Sequence, residues 1–585
     1  MPTTRSFPFR VTLPKRRFLT AIAIVWCSGL LMGLSTAPLN LFPLAWVALA
    51  PLWMLVFQPS RSPAWFSPAP LFLALIWGFS YHGLALSWIT GLHPLTWLGI
   101  PWLGSVVITL LCWLVITLWG AMLVVIWAAL LRVAARTPLQ RVLIGTALWC
   151  GLEWLWGLGP LYWTSLSYTQ SPGNRVILHL GQLSGPLTVT AAIAAVNGLL
   201  AEAWLRWQVD RQKGGTAGEE YGEWAMESRE GRVGFRRERQ PNGKGEWPRN
   251  STGGKLAIRL ASLSRSGGDL LGMALVVLVI GHLIGWGLAS RPLVESAEAG
   301  LPVGIIQGNV PTRIKLFAAG LQQAESSYTR GYESLVAQGA EVILTPEGAL
   351  PYIWNQSNRD RSRFYQAVLQ HQVPVWLGTF TAEDGKIARS LLTLNGQGEM
   401  VSRYDKIKLV PLGEYVPLRE VLGSLFRQLT TLEAQGLPGK LHQMMDTPFG
   451  RAIASICYDS AFPDVFRFQA AAGGQFILTA SNLDPYSEVL MAQHQAQDLM
   501  RAIETDRWAV RATNTGYSSL INPRGQIIWR STPHAFTTHL GTIYRRQTQT
   551  PYVRWGNWLT PVLLLLGCLT WLPPSWSNRK TRPMR

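Results

Sequence analysis

Residues 452–464 read Ala-Ile-Ala-Ser-Ile-Cys-Tyr-Asp-Ser-Ala-Phe-Pro-Asp. The run Ala452 to Ile456 carries the small and β-branched side chains of a buried strand, Cys457 ends it, and an apparent helix follows near 463–472, opened by Pro463. A strand, a sharp turn and a helix in succession expose a nucleophile at the bend. Outward from this stretch, β-branched runs alternate with longer polar-apolar segments between Leu301 and about Arg546. Strands are expected at Val303–Gln307, Val342–Leu344, Val373–Thr379, Ser390–Leu394, Ile453–Cys457, Phe476–Ala480, Trp508–Thr513 and Ser518–Asn522, with an amphipathic helix near 318–338. That alternation predicts an α/β domain, long enough for a full enzymatic core.

A lone thiol is more often a small buried hydrophobe than a nucleophile, so Cys457 needs partners to count as one. Glu347 follows Val342-Ile343-Leu344 in the segment Thr-Pro-Glu-Gly, just past a strand end, where α/β sheets place their catalytic groups. Lys406 and Lys408 flank Ile407 in Arg-Tyr-Asp-Lys-Ile-Lys-Leu-Val-Pro-Leu-Gly-Glu-Tyr-Val-Pro, and Glu414 lies eight residues after Lys406. In isolation that segment reads as an exposed strand and loop, and alternation puts both lysines on one side of it. Together these residues make a chemical set: a thiol nucleophile, a carboxylate to take its proton, and an ammonium to stabilise thiolate and oxyanion. His371, His442 and His494 lack a supporting motif and read as exposed or satisfied polar residues.

The remainder of the chain speaks against a soluble protein. Of 585 residues, 48% are hydrophobic and only 15% charged, and most of the 28 Trp lie in the first two hundred residues. The formal charge of +19 raises nucleic acid as a partner, but the basic residues sit in short flanks of apolar segments and in one linker, with no nucleic-acid-binding signature; no nucleic acid is expected. Cys27, Cys112, Cys150 and Cys568 fall in apolar stretches, which excludes a disulfide framework.

Between Phe18 and Leu131 the only charged residue is Arg61. Stretches of bilayer-crossing length are expected near 18–34, 38–57, 68–90, 105–131, 141–158, 180–205, 270–290 and 555–572. The first reads as a retained anchor rather than a cleaved signal. Every second loop is basic, which predicts a cytoplasmic N-terminus, an extracytoplasmic 291–554 and a cytoplasmic tail. The expected organisation is six transmembrane helices in 1–206, a disordered charged cytoplasmic loop at 207–265, a seventh helix in 266–292, the catalytic domain at 301–548, an eighth helix in 555–573 and a basic tail at 574–585. Glu153, inside the fifth stretch, is a functional candidate or a headgroup-level pairing residue.

Glu, Lys and Cys in this order, with Tyr-x-Lys-x-x-Leu-Val-Pro-x-Gly-Glu at 404–414 and Ser-Ile-Cys-Tyr-Asp-Ser at 455–460, resemble the nitrilase or carbon-nitrogen hydrolase superfamily. The membrane arrangement, with Gln307-Gly-Asn-Val-Pro311 and Arg511-Ala-Thr-Asn-Thr-Gly516, is similar to one branch of it, the apolipoprotein N-acyltransferases. The resemblance implies a multi-pass helical membrane domain of about eight transmembrane helices plus an extracytoplasmic α-β-β-α sandwich. It implies Glu347 as general base, Lys406 as the lysine of a triad and Cys457 as nucleophile, with Glu414, Tyr458 and Asp459 supporting them. Tyr-x-Lys spacing favours Lys406 over Lys408. The implied reaction moves an acyl chain from a membrane phospholipid, through a Cys thioester, to the α-amine of a diacylglyceryl apolipoprotein, with no metal or cofactor. A membrane-tethered amidase using water is the rival, and a transporter a more distant one. Leu316 after Lys315, Asp459 where Glu is usual, and Asn482-Leu-Asp-Pro depart from the family pattern in substrate-facing loops.

Overall fold

Alternation of buried and exposed side chains along the second half of the chain builds two six-stranded sheets. The computed structural model describes residues 15–57, 68–135, 137–227, 266–293, 295–411, 413–415 and 436–570. The first sheet holds β1 (Gly300–Gln307), β2 (Val342–Leu344), β3 (Val375–Glu383), β4 (Lys386–Leu394) and β5 (Met400–Asp405). The second holds β6 (Met445–Thr447), β7 (Gly450–Ile456), β8 (Phe476–Ser481), β9 (Ala509–Thr513), β10 (Ser519–Ile521) and β11 (Ile527–Arg530), while β12 (Thr537–Tyr544) returns to the first. The orders are β12-β1-β2-β3-β4-β5 and β11-β10-β9-β8-β7-β6, with parallel pairs β1–β2–β3 and β7–β8–β9 at the centres.

Strands β5, β6, β11 and β12 are absent from the expected set. They lie at or near the sheet edges, where one face stays half exposed and no continuous apolar run is needed. Val303, Ile305, Ala454 and Val510 meet between the sheets. Their alternate neighbours point outward: Ile306 and Ile343 pack on the helices Ala318–Ala337 and Arg363–His371, and Ile453 and Ile477 on Pro463–Ala471 and Glu488–Thr505. The layers are therefore helix, sheet, sheet, helix.

Four described helices are long and apolar enough to cross a bilayer by length and composition: Arg16–Leu34, Trp102–Ala134, Leu187–Arg211 and Gly267–Ala289. Shorter apolar helices cover Phe42–Phe57, Ala69–Ala85 and Leu559–Leu569, and a further helix spans Pro138–Leu158. The segment at 42–57 is broken after Ala48, and Asn197 Oδ1 accepts the Leu49 and Ala50 N–H groups that the break frees, each at 2.9 Å. Two expected segments start later than their hydropathy suggests. Gly185 (φ +75°) with Pro186 delays the helix near 180 to Leu187, and Gly556 (φ +65°) delays the last one to Leu559. The helix from Leu187 runs on to Glu227, so 207–227, expected to be disordered, is helical despite its four Gly. The rest of the expected loop, 228–265, and the tail at 574–585 lie outside the described residues.

The outer helices of the second sheet do not face solvent. Val465, Phe466, Leu499 and Ile503 belong to the same buried cluster as Leu178, Ile177 and Trp149 of the apolar half, so the α/β domain sits on the membrane helices through a shared core.

Candidate active site

The strand β7 ends at Ile456, and Cys457 begins a turn of 3-10 helix, Cys457–Ala461, with φ +50°. A non-glycine residue there is held against its preference by its surroundings, and the thiol is thrust out at the bend. Asp459 supplies much of that hold. Its Oδ2 accepts from Ile456 N–H (3.0 Å), Tyr404 O–H (3.1 Å) and Ile407 N–H (3.4 Å), and its Oδ1 accepts from Lys408 N–H (2.7 Å). One carboxylate thus ties the Cys457 turn to the segment that leaves β5.

Glu347 sits in the loop after β2. Gly378 of β3 lets that loop approach, since a Cβ there would lie 2.0 Å from the Pro346 carbonyl. Lys406, fully buried, donates from Nζ to Glu347 Oε1 (3.0 Å) and to Glu414 Oε1 (2.6 Å). Arg389 of β4 lies 3.0 Å from Glu414 Oε1 and 3.9 Å from Glu347 Oε1, so two cations face two carboxylates. Glu414 Oε2 also accepts from Val410 N–H at 2.9 Å. The Asn482 backbone, after β8, touches both Glu347 and the thiol: its N–H donates to Glu347 Oε2 (3.1 Å) and its carbonyl lies 4.0 Å from Cys457 Sγ. Lys315 is buried as well and donates to the Glu347 carbonyl at 3.1 Å.

Burial is the largest influence on Cys457, Lys406, Glu414, Lys315 and Asp459. It pushes the Cys457 thiol up to about 12, although Lys406 pulls the other way. For Lys406 burial would lower the pKa, but Glu347 and Glu414 outweigh it and hold the ammonium above its ordinary value. Burial would raise Glu414, and Lys406 with Arg389 reverses this and holds its carboxyl low. Burial lowers Lys315 to about 8 against the pull of Glu347 and Asp484, and raises Asp459 to about 6 against its hydrogen bonds. The thiol is therefore neutral at rest and needs a base, while Lys406 keeps its charge.

Glu347, Lys406, Glu414, Cys457 and Asp459 all converge here. Lys408 does not: β5 stops at Asp405, the alternation stops with it, and the Lys408 ammonium lies 4.3 Å over the Phe462 ring. Tyr458 points to the membrane half, accepting from Tyr162 N–H at 3.0 Å, with the Pro160 and Tyr162 carbonyls 2.9 and 3.1 Å away. Glu153 is buried and its carboxylate accepts from Trp149, Ser165, Leu166 and Thr190, which pins the loop after its own helix. Leu316 is exposed beside Phe317. Sequence reasoning missed Arg389 and set His494 aside as an ordinary polar residue. His494 is buried against the Cys457 turn, with Nε2 2.8 Å from the Cys457 carbonyl. The available signal was a stripe of His494, Asp498 and Arg501 at helical spacing on one face.

A cavity of about 360 Å³ opens on Cys457 and runs between the apolar helices. Ile108, Ile116, Leu123, Trp156, Leu86 and Tyr486 are among its walls. From Ile108 to Leu123 it follows one helix for about 22 Å, more than the roughly 15 Å of one bilayer leaflet's hydrocarbon.

Two facing sheets between helices, with a buried thiol beside lysine and carboxylates, define a nitrilase-type domain, and residues 303–550 match the family model described as carbon-nitrogen hydrolase. Residues 28–199 match the model of the apolipoprotein N-acyltransferase N-terminal domain. Three relatives named apolipoprotein N-acyltransferase align along nearly the whole chain. The protein of Nostoc sp. strain PCC 7120 is 47% identical over 94% of this chain and 98% of its own length. That of Synechocystis sp. strain PCC 6803 is 43% identical over 92% and 98%, and that of Gloeobacter violaceus 31% over 96% of each. The chain belongs to the apolipoprotein N-acyltransferase family.

Proposed function

We propose that the protein moves an acyl chain from a membrane phospholipid to Cys457 and then to the free α-amine of an S-diacylglyceryl cysteine at a lipoprotein N-terminus. The observation that carries this reading is the cavity: an apolar passage that begins at the thiol and descends among membrane helices fits the acyl chain of a lipid still seated in its leaflet. An amidase acting on a soluble substrate with water has no use for it.

In this scheme Glu347 takes the Cys457 proton as the sulfur attacks the ester carbonyl. Lys406 and a backbone N–H hold the oxyanion, the ester C–O bond breaks, and the lysophospholipid alkoxide leaves with that proton. The lipoprotein amine then attacks the thioester, Glu347 accepts its proton, and the C–S bond breaks to return the thiol and leave an amide. Glu347 and Glu414 keep Lys406 aimed and charged, and Arg389 pairs with Glu414. The same reading takes the eight helical regions as eight spans, with both termini cytoplasmic and the α/β domain outside, supported by the basic residues of alternate loops.

The test is intact-mass analysis after incubation with phospholipid alone. The expected result is a gain of one acyl chain that neutral hydroxylamine removes and that Cys457→Ser abolishes. Folded protein that gains no such mass would overturn phospholipid as donor.

A further inference from the structure

The Cys457 carbonyl takes a side-chain hydrogen bond that the acyl-transfer scheme leaves unused. His494 Nε2 lies 2.8 Å from it, and on the far side of the ring Arg511 Nη1 lies 2.7 Å from Nδ1. A guanidinium can only donate, so Nδ1 accepts, the ring proton sits on Nε2, and Nε2–H donates to the Cys457 carbonyl. Arg511 is held in turn by Asp498, one helical turn beyond His494, and His494, Asp498 and Arg511 are all buried. Burial and the Arg511 charge keep the imidazole well below its ordinary pKa, so this neutral tautomer persists. Arg511 therefore donates both to Asp498 and to His494, and His494 in turn donates to the Cys457 carbonyl.

A trans peptide is planar, with its C=O and N–H pointing in opposite directions. A donor clamped on the Cys457 carbonyl therefore also sets where the Tyr458 N–H points. That matters here because Cys457 is held at φ +50°, a conformation that a free chain would leave. We propose that His494 is a positioning residue: it locks the Cys457–Tyr458 peptide so that the Tyr458 N–H, with the Lys406 ammonium, forms the oxyanion hole for the acyl group on Cys457. The inference rests on Cys457 being the acylated residue.

Two rates on the same thiol separate this role from a structural one. Alkylation by iodoacetamide displaces iodide at a saturated carbon and builds no oxyanion, whereas acylation by p-nitrophenyl acetate passes through one. Their ratio, measured on the full-length protein in detergent, cancels any loss of folded material. In His494→Met the ratio falls roughly 10²–10³-fold, the effect of losing one oxyanion donor. In His494→Gln, whose amide keeps an N–H, it returns to within about tenfold of wild type. A ratio in His494→Met within about threefold of wild type, or an equal fall in His494→Gln, overturns the proposal. Failure of the phospholipid reading looks different: the wild type would take acetate from the activated ester and nothing from phospholipid, and the ratio would still decide the role of His494.

Discussion

Lys406 and Lys408 stand two residues apart, and their surroundings give them different tasks. Lys406 lies against two carboxylates, and removing it would leave Glu347 and Glu414 facing each other with Arg389 as the nearer remaining cation. Lys406→Met should lower thioester formation by about 10³-fold or more, through lost oxyanion stabilisation and a carboxylate pair left without its shared ammonium. Lys408 contributes to Asp459 through its backbone N–H, which substitution keeps, and its ammonium only covers Phe462. Lys408→Met should stay within about thirtyfold of wild type, since a partly buried cation–π contact is worth about 1–2 kcal/mol and lies outside the carboxylate cluster. Burst measurements of thioester on the two variants check this, and equal losses would contradict it. Alternation along a strand could not separate the two lysines, because the strand ends before either begins.

At the scale of elements, the site depends on how the nucleophile turn is joined to the segment leaving β5. Asp459 makes that joint with four accepted hydrogen bonds, three of them from backbone N–H groups of both elements. The charged carboxylate is the form that binds these donors best. Its pKa is raised to about 6, chiefly by burial, so it takes up a proton earlier than an ordinary Asp as pH falls. Acylation of Cys457 should therefore decline as pH drops through about 6. Asp459→Asn should be slower by about tenfold at pH 8 and should lack that acidic limb. A pH–rate profile of the activated-ester burst reads both, and an unchanged limb in Asp459→Asn would assign it elsewhere. This joint was only half visible in sequence: Asp459 stood out beside the thiol, but nothing marked the backbone amides of 407 and 408 as its partners.

Over the whole molecule, the decisive feature is that the catalytic layer and the membrane helices share one core. Tyr168 donates to the Ala461 carbonyl at 2.9 Å, Ser171 to the Ala496 carbonyl at 2.7 Å, and Trp163 to Gln493 Oε1 at 2.7 Å. These bonds seat the thiol over the cavity rather than beside it. Cavity depth should then set which chains are accepted. Each buried methylene is worth about 0.8 kcal/mol, so excluding two or three costs about tenfold to a hundredfold. Ile116→Trp, which narrows the passage partway down, should shift selectivity from long toward short acyl phospholipids by at least about tenfold. Competition between two chain lengths, read by mass on the acyl-enzyme, measures the shift, and an unaltered preference would remove the cavity from the reaction.

Local chemistry in the chain by itself marked the α/β domain, the apolar helical segments and a candidate set of a thiol, Cys457, a carboxylate, Glu347, and one of two lysines. Periodicity, strand ends and charge are properties of neighbouring residues, and they survive without a structure. Tertiary structure alone decided that Lys408 turns away, that Arg389 completes the charge pairing, that edge strands with half-polar faces close both sheets, and that His494 grips the nucleophile peptide. Each of these joins residues far apart in sequence, or turns on where a strand stops. Such contacts are set by packing of whole elements, and no local pattern records them.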